Sequence, residues 1–512
     1  MRRLMIVLAV LLPLVASAQT DPRTLPLVQS GDLAYLGSFT VPTTDGTGRP
    51  DTVAGLTYGS GAIGIGPDGA SLYFGCVYNA SLARITIPAI GGAASIVDPC
   101  VAVPNLTKIN PTDPNRQHVG GSLWWGGRLI ASGYSSYDGA GTASSSHFAG
   151  ATVGSLGGPY RVGTDRPGLL GGYMGVIPTE WRALLGGPVL TGQCCISIIS
   201  RSSYGPSASV FDPATLGSGT VASTLLVGYP TEHQTLGNPD VQNPYFTWAT
   251  RMGGLAFPSG TRSVLFIGRH GGTSCYGQGT SNQALDQQPV PGAPGVRYCY
   301  DPLDGDKGTH GYPYSHQVWA YDANDLAAVK AGTKAAWDLR PYATWTLSDM
   351  ASNGAATIGS ATYDDATRKL YVVEDRGGAQ PRVHVYRVGG GSAPPPPASV
   401  NCDGTWGAWT RQPNSESACS ATGSRTFIES RLFTVTTSPA NGGAACPASP
   451  ESRTSTEPCT APVVMVQYQC WVTSVLSSYA DGDAKRQIRC ETNGPIASLP
   501  NGTTFTVSVP KK

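Results

Sequence analysis

Gly61-Ala62-Ile63-Gly64-Ile65-Gly66-Pro67-Asp68-Gly69-Ala70-Ser71-Leu72-Tyr73-Phe74 decides how the chain is read. A glycine-flanked apolar run, a Pro-Asp-Gly turn and a second apolar run describe two short strands and their connection. A third strand, Leu82 to Ile87, follows at turn distance. The unit returns near Gly120 (Ser122 to Trp125, Arg128 to Ser132) and near Cys195 (Ile196 to Ile199, Ala208 to Phe211). It returns again near Gly253 (Ser263 to Ile267, Gln317 to Tyr321) and near Ile358 (Leu370 to Val373, Val383 to Val388). Such repetition predicts a β-propeller of about five blades with long loop insertions over residues 24–388. Ala34 to Val41 has no partner in the first unit, so closing the ring predicts that it pairs near Val383 to Val388. The competing architecture is a β-sandwich, which the same turn spacing permits.

Composition agrees with an all-β chain. With 66 glycines and 41 prolines in 512 residues, few long stretches of helix formers remain. Arg2 and Arg3, the apolar run Leu4 to Val15 and the Ala16-Ser17-Ala18 triplet read as a secretory signal over 1–18. No later run is long and apolar enough for a transmembrane segment. The expected location is therefore secreted, periplasmic or extracellular. Without Arg2 and Arg3 the 34 basic residues fall one short of the 33 acids, so no charge excess exists to follow a phosphate backbone. Nucleic acid is thus not an expected partner.

After Val388 the composition shifts to Gly389-Gly390-Gly391-Ser392-Ala393 and then Pro394 to Pro397, a slack and then stiff linker over 389–400. Residues 401–462 and a small β segment over 463–512 follow it.

Two resemblances bear on these parts. Tyr35-Leu36-Gly37, Cys194-Cys195 with Arg201 and Gly205-Pro206, Cys275-Tyr276-Gly277 and His310 to Asp322 resemble secreted bacterial propeller-like proteins of unassigned activity. That likeness implies fold and export only. Cys402, Trp406-Gly407-Ala408-Trp409, Cys419, Gly423, Arg425-Thr426, Asn441 to Pro447 and Pro458-Cys459 resemble a thrombospondin type 1 repeat. The family's stack of tryptophans and arginines implies that Trp406 and Trp409 face Arg425 and Arg431, held by cation–π attraction. The same likeness implies Cys402 with Cys446 and Cys419 with Cys459, although spacing alone allows three connectivities. Such repeats usually carry six cysteines; Ser455 stands where one is expected, which reads as one lost disulfide.

Twelve cysteines in an exported chain argue for disulfides rather than metal thiolates. Local pairing gives Cys76 with Cys100 and Cys275 with Cys299, while Cys470 and Cys490 can close a hairpin. Cys194 and Cys195 are adjacent, and a bond between neighbours is strained because their Cα atoms lie about 3.8 Å apart. Either that strained bond forms, or each sulfur finds a separate partner such as Cys275 or Cys299.

The stretch Cys299 to Asp322 holds the densest chemistry: four acids, Lys307, His310, His316 and five aromatics. Gly308, Gly311 and Pro313 read as a loop, and Gln317 to Tyr321 as a half-buried strand, so polar groups sit on a loop held by a sheet. Asp306, His310 and Glu374 are the catalytic candidates, as carboxylates or as a proton-transfer group. Arg201, His233, Arg269, His270, Tyr276, Lys307, His310, Tyr312 and Tyr314 are candidates for a ligand face, with the tyrosines as a stacking surface. Asp301, Asp304 and Asp306 are oxygen donors of the kind calcium takes, the one cofactor the sequence suggests. No Gly-x-Ser-x-Gly elbow or His-Glu-x-x-His helix occurs.

These features fit an exported binding or adhesion protein whose propeller face takes a glycan or other extracellular ligand, with the tail engaging a surface or protein. The alternative is a secreted polysaccharide-active hydrolase or lyase anchored by its tail. A third reading is a purely structural envelope component. An acid pair in one pocket favours the enzyme; an aromatic face without one favours the binder.

Overall fold

The computed structural model describes residues 21–461 apart from 57–61, 78–79, 197–199, 201, 218, 232–244, 351–357, 375–379, 391–399 and 440–442, together with the backbone of 468–478 and 484–492. The chain forms two compact units, 1–394 and 395–512.

The larger unit is a β-propeller. Strand β1 (Leu33–Thr40) is followed by a sheet of β2 (Gly64–Ile65), β3 (Ser71–Gly75), β4 (Ser81–Thr86) and β5 (Ile96–Ala102). The second sheet holds β6 (Gln117–Trp125), β7 (Arg128–Ser135), β8 (His147–Gly150) and β9 (Gly157–Val162). In the third, β10 (Met174–Val176), β11 (Val189–Thr191) and β12 (Ala208–Phe211) are joined by β14 (Ser223–Val227), while the short β13 (Thr220–Val221) adds to β9. The fourth sheet is β15 (Arg251–Ala256) and β16 (Ser263–Gly271), then β20 (Tyr314–Asp322) and β21 (Ala343–Thr346). Between β16 and β20 an insertion makes its own small sheet of β17 (Cys275–Thr280), β18 (Tyr298–Tyr300) and β19 (Lys307–His310). The fifth is β22 (Ile358–Asp364), β23 (Lys369–Glu374) and β24 (Arg382–Val388), completed by β1; the single parallel pair Gly254–Ala361 links β15 to β22, so hydrogen bonding runs through the fourth and fifth sheets as one eight-stranded array.

Three observations close the ring. Strand β1 pairs antiparallel with β24 from Leu33 opposite Val388 to Thr40 opposite Arg382, joining the two ends of the domain. The innermost strands touch in a cycle: β2 with β6, β6 with β10, β10 with β15, β15 with β22 and β22 with β2. Each pair of neighbouring sheets also encloses an apolar layer, the last being Phe39, Val383 and Val385 of the fifth sheet against Leu72, Phe74 and Ala83 of the first. A sandwich has two such inner faces and one layer, so the topology excludes it.

The glycines that open the units serve this closure. A Cβ at Gly64 would collide with the carbonyl oxygen of Ser122, and one at Gly254 with that of Ala361, its parallel partner in β22. Near the axis the backbones are too close for a side chain.

Burial on both faces also revises the reading of β20. It is not half-buried: Val318 and Ala320 enter the layer shared with the fifth sheet, whereas Trp319 and Tyr321 enter the layer shared with the third. The third sheet begins earlier than the repeat near Cys195 suggests, because β10 and β11 are three residues each and are separated by helical turns. Ile196 lies in no strand, and 197–199 are outside the described residues.

Disulfides join Cys76 to Cys100, Cys275 to Cys299, Cys402 to Cys446 and Cys419 to Cys459. Cys194 and Cys195 are corrected to thiols rather than a disulfide. The Cys194 thiol is buried toward the carbonyl of Gly120, and Cys195 follows at φ 58°. Cys470 and Cys490 are register partners on β30 (Tyr468–Ser478) and β31 (Ala484–Thr492), but their side chains lie outside the described residues.

In the smaller unit β25 (Asp403–Trp406) pairs with β28 (Phe433–Thr437), while β26 (Thr410–Arg411), β27 (Ser424–Arg431) and β29 (Glu451–Pro458) form a second sheet. The Arg431 guanidinium lies over Trp406 at 4.3 Å and Trp409 at 4.6 Å, and Arg453 covers Trp409 at 4.2 Å. Arg425 does not join this stack. Its cross-strand partner is Glu457, whose carboxylate accepts from Arg425 Nε at 2.6 Å and outcompetes a ring face.

Two substitutions test these accounts. Gly254→Val should lower unfolding stability by about 1–3 kcal/mol or more in urea titrations, as overpacking does, while Gly31→Ala, with open space around it, should leave the midpoint unchanged. Arg431→Ala should shift tryptophan emission and weaken the smaller unit by about 0.5–2 kcal/mol; Arg425→Ala should leave the emission unmoved.

Candidate functional site

The upper ends of β16 and β20 and the insertion between them carry most of the expected site residues. Lys307 to His310, expected as loop, is strand β19, paired with β17 so that His310 lies opposite Cys275 and Thr309 opposite Tyr276. The sheet partner and the Cys275–Cys299 bond supply the order that local glycines oppose.

His310 is 1 % exposed. Its Nδ1 is 3.1 Å from Asp301 Oδ2 and its Nε2 is 3.0 Å from the backbone oxygen of Asp306. Both neighbours are acceptors, so the ring is held as an imidazolium. Burial opposes that charge, but the Asp301 carboxylate and the Asp306 carbonyl outweigh it and raise the His310 pKa. Burial likewise opposes the Asp301 charge, and the bonds from His310, Tyr314 and the Leu303 amide outweigh it and lower its pKa. Tyr314 Oη donates to Asp301 at 2.6 Å and accepts from the Gly311 amide at 3.1 Å. Both His310 nitrogens are thus occupied, and the residue anchors the insertion.

The acids do not form a calcium cradle. Asp301 is spent on His310 and Tyr314, and Asp304 Oδ1 accepts the Asp306 amide at 3.0 Å. Among the described residues no three His, Cys, Asp or Glu side chains converge to hold a metal ion. Nor do the tyrosines make an open stacking face. Tyr312 packs edge-on to Tyr300 at 5.5 Å and to Tyr314 at 6.4 Å, and Tyr314 is covered by Arg269 at 4.2 Å. Tyr276 and Lys307 are exposed on the insertion. His270 is half-buried, bonded to Thr250 Oγ1 at 3.1 Å, and burial lowers its pKa. Arg201 and His233 lie outside the described residues.

A second polar cluster sits where the fourth and fifth sheets meet. Glu374 Oε2 lies 2.7 Å from His384 Nε2, and His384 Nδ1 lies 2.9 Å from Tyr35 Oη. Glu374 and His384 are both buried, and Tyr35 reaches them from the closing strand β1. Opposite them Arg269 is in register with His316, and Arg251 with Arg269. Directly opposed residues of an antiparallel pair project to the same face, so the three form one row. His316 is 2 % exposed, and burial pushes its pKa down to about 4 despite the pull of Glu374. The ring is therefore neutral at ordinary pH. Arg269 is pushed down to about 10 by burial and then by Arg251. His316 Nε2 and Arg269 Nε are buried without a hydrogen-bond partner. An unmatched buried group of this kind costs about 1–3 kcal/mol, and such groups cluster where function requires them.

Arg251, His316, His384 and Tyr35 were not among the site residues the sequence suggested. A signal exists for one of them, His316, and the same signal marks the candidate Arg269. Alternation places Arg269 on the apolar face of Leu265 and Ile267, and His316 on that of Val318 and Ala320, so each continues a core face with a polar group.

No family model and no curated relative matches this sequence. Solved structures overlap the propeller in part. An endo-arabinase from Bacteroides thetaiotaomicron is 10% identical with a TM-score of 0.35, covering 68% of this chain and 96% of its own. The endo-arabinanase of Bacillus licheniformis is 12% identical with a TM-score of 0.34, covering 64% and 93%. A glycosyl hydrolase from Bacteroides ovatus is 10% identical with a TM-score of 0.35, covering 72% and 92%. Identities of this size transfer no residue roles.

The His310 pair has a defined pH signature. Its raised pKa makes its contribution complete below the ordinary value of 6.5 and lost as pH rises through the folded value. The depressed Asp301 contributes fully above its ordinary 3.8 and loses that as pH falls through the folded value. Protease nicking within 281–297 should therefore be slowest in mildly acid solution and accelerate on either side. Asp301→Asn should remove the alkaline limb and destabilise the insertion by about 3–5 kcal/mol, the cost of breaking a buried pair.

Proposed function

We propose that this is an exported carbohydrate-active enzyme, a hydrolase or lyase that cleaves an extracellular polysaccharide at the rim between the fourth and fifth sheets. The single observation that carries the reading is His316: a buried, neutral imidazole whose Nε2 has no partner, set beside the Glu374–His384–Tyr35 chain of hydrogen bonds. A neutral ring nitrogen without a bond can meet a substrate as a hydrogen-bond donor in one tautomer or as a proton acceptor in the other, and a linked tyrosine, imidazole and carboxylate can relay a proton. His310 has no such freedom in this reading, since both of its ring nitrogens are occupied; Asp306 is exposed on the insertion, and Glu374 acts through His384 as a positioning group. No described helix is long and apolar enough to cross a membrane, and four disulfides suit an oxidising compartment. The tail, with its thrombospondin-like tryptophan–arginine stack, then serves as an anchor that raises local concentration at a glycan or protein surface.

The test is a degradation screen of the full chain against neutral and acidic polysaccharides, read by new chain ends. Turnover of one polymer is expected, with His316→Ala and Tyr35→Phe each lowering it by about 10²-fold or more at an unfolding midpoint close to that of the parent. A glycan that binds but is never cut would return the protein to the binding class.

A further inference from the structure

We infer that the Arg251–Arg269–His316 row is a subsite for the oxyanion of an acidic sugar, so that the polysaccharide carries uronate carboxylates or sulfate esters. The inference rests on the glycan reading and adds the charge of the substrate.

The register sets the three side chains side by side at the upper end of the fourth sheet, Arg251 opposite Arg269 and Arg269 opposite His316. Neither arginine has an ion-pair partner among the described residues, although Asp301 and Asp304 are near enough to Arg269 to be felt. Glu374, a described acid close enough to act on His316, is occupied by His384. Burying Arg269 and placing Arg251 beside it both disfavour its charge, burial more than repulsion, and an anion lying between the two guanidinium groups offsets both. Arg269 Nε and His316 Nε2 are buried atoms without a protein partner. A guanidinium has only N–H groups to offer, and a neutral imidazole offers one in the tautomer protonated at Nε2. Among the described residues, Arg269 Nε and His316 Nε2 therefore have no acceptor. Arg251 is exposed, so the outer end of the row is open to solvent. The planar guanidinium fork matches the paired oxygens of a carboxylate, and it serves a sulfate ester in the same way.

The experiment is titration calorimetry of the full chain with oligogalacturonate, with sulfated dextran oligosaccharide, with neutral dextran and arabinan oligosaccharides, and with inorganic sulfate. Binding of an acidic oligosaccharide is expected, weakened about tenfold or more in Arg251→Gln, with the unfolding midpoint unchanged because that side chain is exposed. Preference for oligogalacturonate assigns the carboxylate, and preference for the sulfated oligosaccharide assigns the ester. His316→Asn provides a second variant, and Arg269→Gln a third if it folds. Acidic binding that Arg251→Gln and His316→Asn both leave intact would overturn the subsite. Binding of neutral oligosaccharides alone would overturn the inference while leaving the glycan reading standing. Binding of inorganic sulfate with no sugar would keep an anion site and sink the glycan reading, and no binding at all would sink both.

Discussion

Everything in the larger unit depends on a pairing between residues some 350 positions apart: β1 hydrogen-bonds along β24 and supplies the fourth strand of the fifth sheet. Closing a loop of that length is entropically expensive, yet the cost grows only slowly with length. The return is large, because closure brings the first and fifth sheets together over the layer of Phe39, Phe74 and Val383. The same strand carries Tyr35 to His384. Fold closure and assembly of the candidate site are therefore one event.

The second constraint acts at the axis. Five inner strands can meet only if their backbones approach more closely than side chains permit, which is why Gly64 and Gly254 stand where they do. Packing at the centre sets the separation of neighbouring sheets farther out, and polar groups at their upper ends inherit it. Arg269 and His316 face Glu374 and His384 across that gap because the apolar layer below them, Ile267 and Val318 against Val372 and Tyr386, holds the two sheets apart by side-chain thickness.

The insertion between β16 and β20 shows how a glycine-rich segment acquires order. Cys275–Cys299 ties its base, and the Asp301–His310–Tyr314 cluster fills its interior with satisfied polar groups. A buried carboxylate with three donors and an imidazolium with two acceptors leave no charge exposed to low dielectric. Histidine, tyrosine and aspartate in so dense a stretch have the appearance of chemistry, but here the chemistry is structural.

Local pattern was enough to recover the repeated strand unit, the class of fold, the unpaired early strand and the disulfides between nearby cysteines, because each follows from short-range periodicity, turn chemistry or loop length. Local pattern misjudged β10, β11 and β19, where three or four residues become strand only through a neighbour in the sheet. Glu374 and Arg269 were visible as candidates, whereas Tyr35, Arg251 and His384 gained their meaning from strands far away in sequence. What the amino-acid sequence determined by itself was a chain of short strands obliged to close on itself, since alternation and glycine spacing act within a few residues. Which polar side chains meet, and which nitrogen is left without a partner, was decided only by the tertiary structure, because hydrogen bonding and burial depend on distances across sheets that no local pattern encodes.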